Sequence, residues 1–367
     1  MPADVLVIGG GVAGSTVAAY LARAGRHVVL VERISGPHDK VCGEFVSGEA
    51  AHYLRDLDID LEALGAVRIS TVRIYTCQRM VSARLRFPAF SISRRVLDEA
   101  ILRKASSCGA ELHRGHVARS LRLIGRRWIA DLDGACELSA NESFLATGKH
   151  DLRGWKRPPG IQNDLIALKL HWRLSVDQVG ALTSCVELFI FPGGYAGLSL
   201  VENGVANLCL VIRKSYFAHL GNAWDALLTS LRAEFLPLVE KLAGAEPCSN
   251  RPLAIASIPY GYVQNRTIGP WCIGDQAAVI PSFSGDGIAI ALHSARLGAE
   301  YYLSGKTNSE FQTRLARDVT GQVRRATLIS RLLVHRWGQR VMMGVARLAP
   351  SVISDIADLT RIPSLRL

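Results

Sequence analysis

What the chain lacks narrows the field first. Its eight cysteines, at 42, 77, 108, 136, 185, 209, 248 and 272, include no C-x-x-C pair. That scatter argues against a zinc site or a disulfide framework and fits reduced thiols in a cytoplasm. No uninterrupted apolar run reaches the roughly eighteen residues of a membrane-crossing helix. The apolar stretch at the N-terminus reads as a strand, not as a secretory signal. His150 and His171 have no partner at metal or triad spacing, so neither is assigned to chemistry and no metal is expected. Acidic residues run out near the C-terminus: Lys306 to Leu367 carries eleven basic residues against four acidic, and Val319 to Ser354 has no acid. The whole chain has 43 Lys and Arg against 32 Asp and Glu, so much of its excess sits in that region. Such charge suits anionic lipid or an acidic partner protein. Nucleic acid is not expected, because no recognition motif or aromatic-basic interleaving accompanies it.

What is present is organised around Asp4-Val-Leu-Val-Ile-Gly-Gly-Gly-Val-Ala-Gly-Ser15. Val5 to Ile8 reads as a buried strand, and Val12 to Ala24, rich in Ala and Leu without Pro, as a helix. His27 to Val31 is a second strand, closed by Glu32. Gly9 allows the tight turn, Gly11 lets backbone approach a pyrophosphate, and Gly14 lets helix and strand pack closely. The helix N-terminus supplies N–H groups and positive dipole to phosphates, and Glu32 is placed to accept from an adenosine ribose. The expectation is a dinucleotide site.

Further along, Lys40-Val-Cys-Gly-Glu-Phe-Val-Ser47 reads as an ordered loop passing close to a ligand. Thr71 to Cys77 and Ala83 to Phe87 suggest a hairpin, and Ser93 opens a helix to about Ser107. Glu111 to His113 and Trp128 to Leu132 read as strands. Phe144 to Gly148 is a strand ending on glycine. From Leu165 to Val176 strict alternation predicts a strand with one buried face. Val186 to Phe191, Tyr195 to Val201 and Val205 to Ile212 continue an antiparallel sheet, with Glu202-Asn-Gly204 as a turn. A helical piece follows around Trp224 to Leu242. The α/β texture returns at Trp271 to Asp275, and Gly285-Asp-Gly287 leads into a helix to about Leu303. The fold class is therefore α/β: a Rossmann-type domain with an inserted antiparallel sheet and C-terminal helices. The divisions expected are 1–70, 90–155 and 250–305 for the nucleotide domain, 71–89 and 156–249 for the substrate domain, and 306–367 for the helical region. In that last region Ile329, Leu332, Leu333 and Trp337 are expected on one helical face.

Four remote motifs stand in a telling order: the glycine triplet with Glu32, Arg94 with Asp98, Gly148, and Gly274-Asp275 followed by Gly285 and Gly287. Together they resemble the FAD-dependent oxidoreductases built like para-hydroxybenzoate hydroxylase. Lys40-x-Cys42-Gly43-Glu44 and Pro192-Gly-Gly-Tyr-Ala-Gly197 look more like the geranylgeranyl reductase branch. The resemblance implies noncovalent FAD, since no Cys or His sits in an attachment motif. It implies that Asp275 holds a ribityl hydroxyl, that Gly274 permits close approach, and that the helix after Gly285-Asp-Gly287 faces the flavin pyrimidine. Arg94 would reach the phosphate or ribityl region, and Arg33 and Lys40 complete the cofactor set. Two departures stand out. Gln276 occupies a position where the family has a small residue, and Gly148-Lys-His-Asp-Leu-Arg-Gly154 differs from the hydroxylase Asp-Gly motif.

No second glycine fingerprint marks a dedicated nicotinamide domain, so NAD(P)H is expected as a transient reductant, or electrons come from another protein. Substrate should lie between the inserted sheet and the flavin. The leading expectation is a monooxygenase hydroxylating an aromatic, polyketide-like or other lipophilic molecule. A flavin-dependent reductase of isoprenoid double bonds is the alternative, with Cys42 or Glu44 as proton donor. A flavoenzyme maturing a partner protein docked on the basic C-terminal region is a second alternative. An NAD-dependent dehydrogenase is permitted by Glu32 but opposed by Gly274-Asp275. The reductases carry an aromatic-rich substrate motif that Phe189-Ile-Phe-Pro-Gly-Gly-Tyr195 matches poorly, which tips the sequence toward the hydroxylase. The expected location is cytoplasmic, with peripheral membrane contact as a variant.

Overall fold

The computed structural model describes residues 3–76, 79–266, 268–348 and 351–361. The first strand, Ala3–Ile8, is buried from Val5 onward and pairs in parallel with Val28–Glu32 and with Glu137–Leu145. A strand enclosed on both sides and both faces needs the continuous apolar run seen here. Glu111–Arg114 extends one edge of this seven-stranded sheet, and Arg127–Leu132 then Ala118–Ile124 extend the other. Trp271–Cys272 joins in parallel beside Glu137–Leu145, bringing the late glycine motif to the same end of the sheet as the early one. The helix Val12–Arg23 makes the return between the first two strands, and Arg94–Ser107 and Gly287–Leu303 pack against it. Ala118–Ile124 and the helix Gly48–Asp56 have no counterpart in the sequence expectations.

The second, nine-stranded sheet is antiparallel except where Cys185–Phe191 lies parallel to Val67–Thr76. Its long hairpin, Val67–Thr76 with Arg79–Ser91, extends beyond the expected one at its open end, and Cys77 lies outside the described residues. The sheet also recruits Phe45–Val46 and Leu253–Ala256, so loops of the first unit supply strands to the second. The helices Trp224–Glu234 and Leu236–Leu242 cover one face. They break at Phe235 because Pro237 has no N–H with which to continue the first helix.

The strand Leu165–Arg173 corrects the expectation of a single buried face. Leu168, Leu170 and Trp172 pack beneath the covering helices, as alternation requires. Yet Ala167 and Lys169 on the other face are each only 1% exposed. On that face Leu165 and Ala167 pack into a second apolar cluster, while Lys169 meets the loop carrying Glu44, so its burial serves a polar partner.

At the C-terminus Asn308–Leu333 opens on a capping box made by Thr307 and Glu310, followed by Arg336–Leu348 and Ser351–Leu359. The expected single face is split. Leu333 and Ile329 pack inward beside Tyr260 and Val279, whereas Trp337 belongs to the next helix and points to solvent. The turn between the helices reorients the chain, which a straight helical wheel cannot anticipate.

Candidate functional site

The glycine turn is built on a backbone contact that leaves no room for a side chain. A Cβ on Gly14 would fall 1.8 Å from the Gly9 carbonyl oxygen, so Gly14 brings the helix onto the strand and does not line the ligand space. Gly10, outside the expected set, donates its N–H to Glu32 Oε2 at 2.7 Å, while Glu32 Oε1 accepts from Ile34 N at 3.0 Å. Glu32 therefore fixes the turn as well as bordering the cavity; each carboxylate oxygen keeps a lone pair for a ribose hydroxyl.

Beside this turn lies a cavity of about 580 Å³. Its walls include Gly9, Gly11, Glu32, Arg33, Lys40, Cys42, Glu44, Arg94, Gly148, Gly274, Asp275, Gly285 and Gly287. Every expected site residue except Gly14 thus reaches one space, although the set spans nearly the whole first three hundred positions. The helix Val12–Arg23 begins at Gly11 with no side-chain cap, leaving its first N–H groups open to an anion. Lys40 Nζ and Arg94 Nη2 lie 3.3 and 3.7 Å from where a Gly11 Cβ would stand. Both cations are organised by Asp98, through Lys40 at 2.8 Å and a two-pronged Arg94 contact at 2.7 and 2.9 Å. Burial alone would raise the Asp98 carboxyl, but Arg94 and Lys40 outweigh it and hold it down to about 2. Uncapped N–H groups, two fixed cations and a missing Cβ fit a dinucleotide pyrophosphate.

The far end is set by Gly274 to Gln276. Gly274 N donates to Ser294 Oγ at 2.9 Å, and the Asp275 carbonyl accepts from Arg157 Nη1 at 2.7 Å. Among the described residues no donor reaches the Asp275 carboxylate, which is free to meet a ligand hydroxyl. Gln276, the family departure, donates its amide to the carbonyls of Gly148 and His150 at 2.8 and 3.0 Å. It therefore ties the Gly148 loop to the Asp275 turn. Arg157 reinforces the tie through the Lys149 carbonyl and Asp151. Gln276 and Arg157 were not expected in this role, since nothing local in sequence shows what a buried amide or guanidinium will face.

Cys42 and Glu44 occupy the wall shared by both sheets. Glu44 adopts φ +60°, is fully buried, and accepts from Arg94 N at 2.8 Å, from Lys169 Nζ, and from His171 Nε2 at 2.7 Å. On its other side His171 approaches Asp39, with Nδ1 to Oδ1 at 3.7 Å. Burial would push the Glu44 carboxyl up, but the His171 hydrogen bond and the Lys169 charge prevail and the net shift is downward. Glu44 is thus ionised at neutral pH and is not a resting proton donor, which corrects that part of its expected role. His171, set aside on sequence grounds, is corrected too: its Glu44 and Asp39 partners lie more than a hundred residues away, beyond any spacing rule. Asp39, Glu44 and His171 each bring one ligand atom within 4.8 Å of the others, but the Lys169 ammonium already supplies the cation that Glu44 needs. Cys42 Sγ accepts from Glu44 N at 3.3 Å and also lies beside the Arg94 guanidinium, and Asn207 holds the Cys42 carbonyl at 3.0 Å. Phe189 and Phe191 belong instead to the core beneath the covering helices.

A floor of this kind, uncapped helix and cations at one end and a free carboxylate at the other, fits a bound dinucleotide. Comparison with known proteins narrows this. Residues 1–74 match the pyridine nucleotide-disulphide oxidoreductase family. The menaquinone reductase of Mycobacterium tuberculosis is 27% identical over 324 residues, covering 81% of this chain and 76% of that protein. Digeranylgeranylglycerophospholipid reductase 2 of Methanopyrus kandleri is 29% identical over 319 residues, covering 82% and 76%. Among solved structures, the flavin-dependent brominase Bmp2 superposes with a TM-score of 0.79 at 19% identity, over 98% of this chain and 93% of that one. The halogenase PltM, solved as a mutant in complex with FAD, gives 0.75 at 15% identity over 98% and 83%. These likenesses agree with the FAD-dependent oxidoreductase superfamily that the motifs resemble, and the residues lining the cavity fit FAD held noncovalently.

Proposed function

We propose that this flavoenzyme reduces a carbon–carbon double bond in a lipophilic, isoprenoid-type substrate. The observation that carries the reading is the Asp39–His171–Glu44–Lys169 array behind Cys42 in the cavity wall, buried at Glu44 and Lys169 and opening toward Asp39. Bound FAD, once reduced, supplies a hydride to one carbon. The other carbon needs a proton, and Cys42 is the donor the geometry favours. The charge left on its sulfur meets the Arg94 guanidinium and the Glu44 N–H. Glu44, ionised and in contact with His171, would carry a replacement proton from the more exposed Asp39 side as far as this wall, its contact with Cys42 among the described residues being the backbone N–H to Sγ. A hydroxylase or a halogenase has no such need for a standing proton supply at the substrate carbon.

Two further points support the reductase. Both relatives described above, matched over four-fifths of the chain, carry reductase names, for menaquinone and for a geranylgeranyl lipid. The poorly matching aromatic motif that favoured the hydroxylase falls partly on Phe189 and Phe191, which lie in the second sheet's own core and not on the cavity. Leu253, Ala254 and Ile255 bring an apolar strand to the cavity edge, suited to a hydrocarbon chain. The reductant is a transiently bound nicotinamide or a partner protein. The hydroxylase stays as the second reading because the solved neighbours include flavin-dependent halogenases. The test is reduction of the bound flavin under nitrogen, then addition of a polyprenyl alkene. Flavin reoxidation with a two-hydrogen gain in product mass, slowed by Cys42→Ser, supports the reductase. Reoxidation only on admitting air, with oxygen in the product, overturns it.

A further inference from the structure

We propose that the outward faces of the two helices Asn308–Leu333 and Arg336–Leu348 form a docking surface for an anionic lipid bilayer. The second helix is seated by its inner side. Gln339 Nε2 donates to the carbonyls of Phe191 at 2.7 Å and Leu333 at 2.6 Å, and Met343 is buried. At about 100° per residue, Trp337, Val341 and Val345 then share the opposite side. They are 61%, 57% and 44% exposed, and Leu328 on the preceding helix is 62% exposed. A tryptophan and two valines on one side of a helix, with an exposed leucine on the helix before it, ask for an apolar cover.

Charge identifies the cover. Arg324, Arg331, Arg336 and Arg340 are exposed around this stripe, and among the described residues none of them forms an ion pair. Arginines elsewhere on the same C-terminal region are paired, Arg314 with Asp318 and Arg361 with Glu49. Glu234 lies near Arg336, and its carboxyl is raised by burial against that cation's pull. A second copy of the chain would bring like charges face to face, and an acidic protein would answer the arginines without covering the tryptophan. A bilayer with anionic headgroups answers both, since guanidinium groups meet phosphates while Trp337 and the valines enter the acyl boundary. The surface also sits directly behind the cavity wall. Leu333, Val334, Ile329 and Met342 pack into the cluster that contains Tyr260, Ile255 and Val279, which line the cavity. The docking face is independent of which reaction the cavity performs.

Sedimentation of the FAD-loaded protein with sucrose-filled vesicles tests this. Binding is expected to phosphatidylglycerol-containing vesicles at low salt, to weaken with salt, and to be absent with pure phosphatidylcholine. Neutralising three arginines (Arg331→Gln, Arg336→Gln and Arg340→Gln together) should reduce partitioning about a hundredfold, with flavin content unchanged. Brominated acyl chains should quench part of the tryptophan emission, and Trp337→Ser should abolish that quenching. No binding to anionic vesicles, or binding indifferent to the arginine changes, overturns the proposal. So does a concentration-dependent dimer, without vesicles, that Trp337→Ser dissolves.

Discussion

Replacing Lys169 by Met removes the cation from a carboxylate that has no access to water. Lys169 is 1% exposed and Glu44 0%, so neither charge can turn to solvent when its partner goes. Met fits the stem of lysine closely, which keeps the change electrostatic rather than steric. Breaking one partner out of a buried pair costs about 3–5 kcal/mol, and His171 retains part of the compensation, so the lower end is expected. The pH dependence follows from the depressed Glu44 carboxyl. A lowered folded value stabilises the protein above the unfolded value of 4.5, and that contribution is lost as pH falls through the folded one. The penalty of Lys169→Met should therefore be full near neutrality, shrink as pH falls through the variant's own Glu44 value, which loss of the cation raises, and be smallest below the depressed wild-type value. Urea denaturation in excess FAD, at neutral and acid pH, measures it. The double variant Glu44→Gln with Lys169→Met should cost less than the sum of the two single changes, because no unpaired charge is left. A Lys169→Met cost below about 1 kcal/mol at neutral pH, or strict additivity in the double variant, would refute the reasoning.

Asp98→Asn should remove about 2–3 kcal/mol at neutral pH, since Arg94 and Lys40 hold its carboxyl down to about 2 from an ordinary 3.8. The wild type should lose this contribution as pH drops from 4 toward 2 and the variant should not, as an acid titration of stability will read. Asp275→Ala should weaken FAD binding about tenfold to a hundredfold, by loss of a charge-assisted hydrogen bond. Equilibrium flavin titration of the apoprotein checks it, and an unchanged affinity removes Asp275 from the binding set.

The first 32 residues declared their own structure, because strand, glycine turn, helix and acid depend on contacts between near neighbours. Gly14 fits only against Gly9, and Glu32 only beside Gly10, both within one local unit. The late motifs were readable for a related reason: glycines that let backbone approach a ligand keep their identity wherever the chain carries them. The second sheet was visible in its period-two alternation, but the meaning of its polar positions was not. Lys169 and His171 look like a solvated face until the loop holding Glu44 closes over them from 125 and 127 residues away. Gln276 looks like a misfit until its amide finds Gly148 and His150. The hydrophobic pattern along Asn308–Leu333 fixes a helix, yet only the turn before Arg336 decides that Leu333 faces the core and Trp337 the water. Sequence determined the elements whose physics is local in the chain. Tertiary structure decided which buried charges meet, because a low-dielectric interior makes a pairing strong only once both partners have left water together.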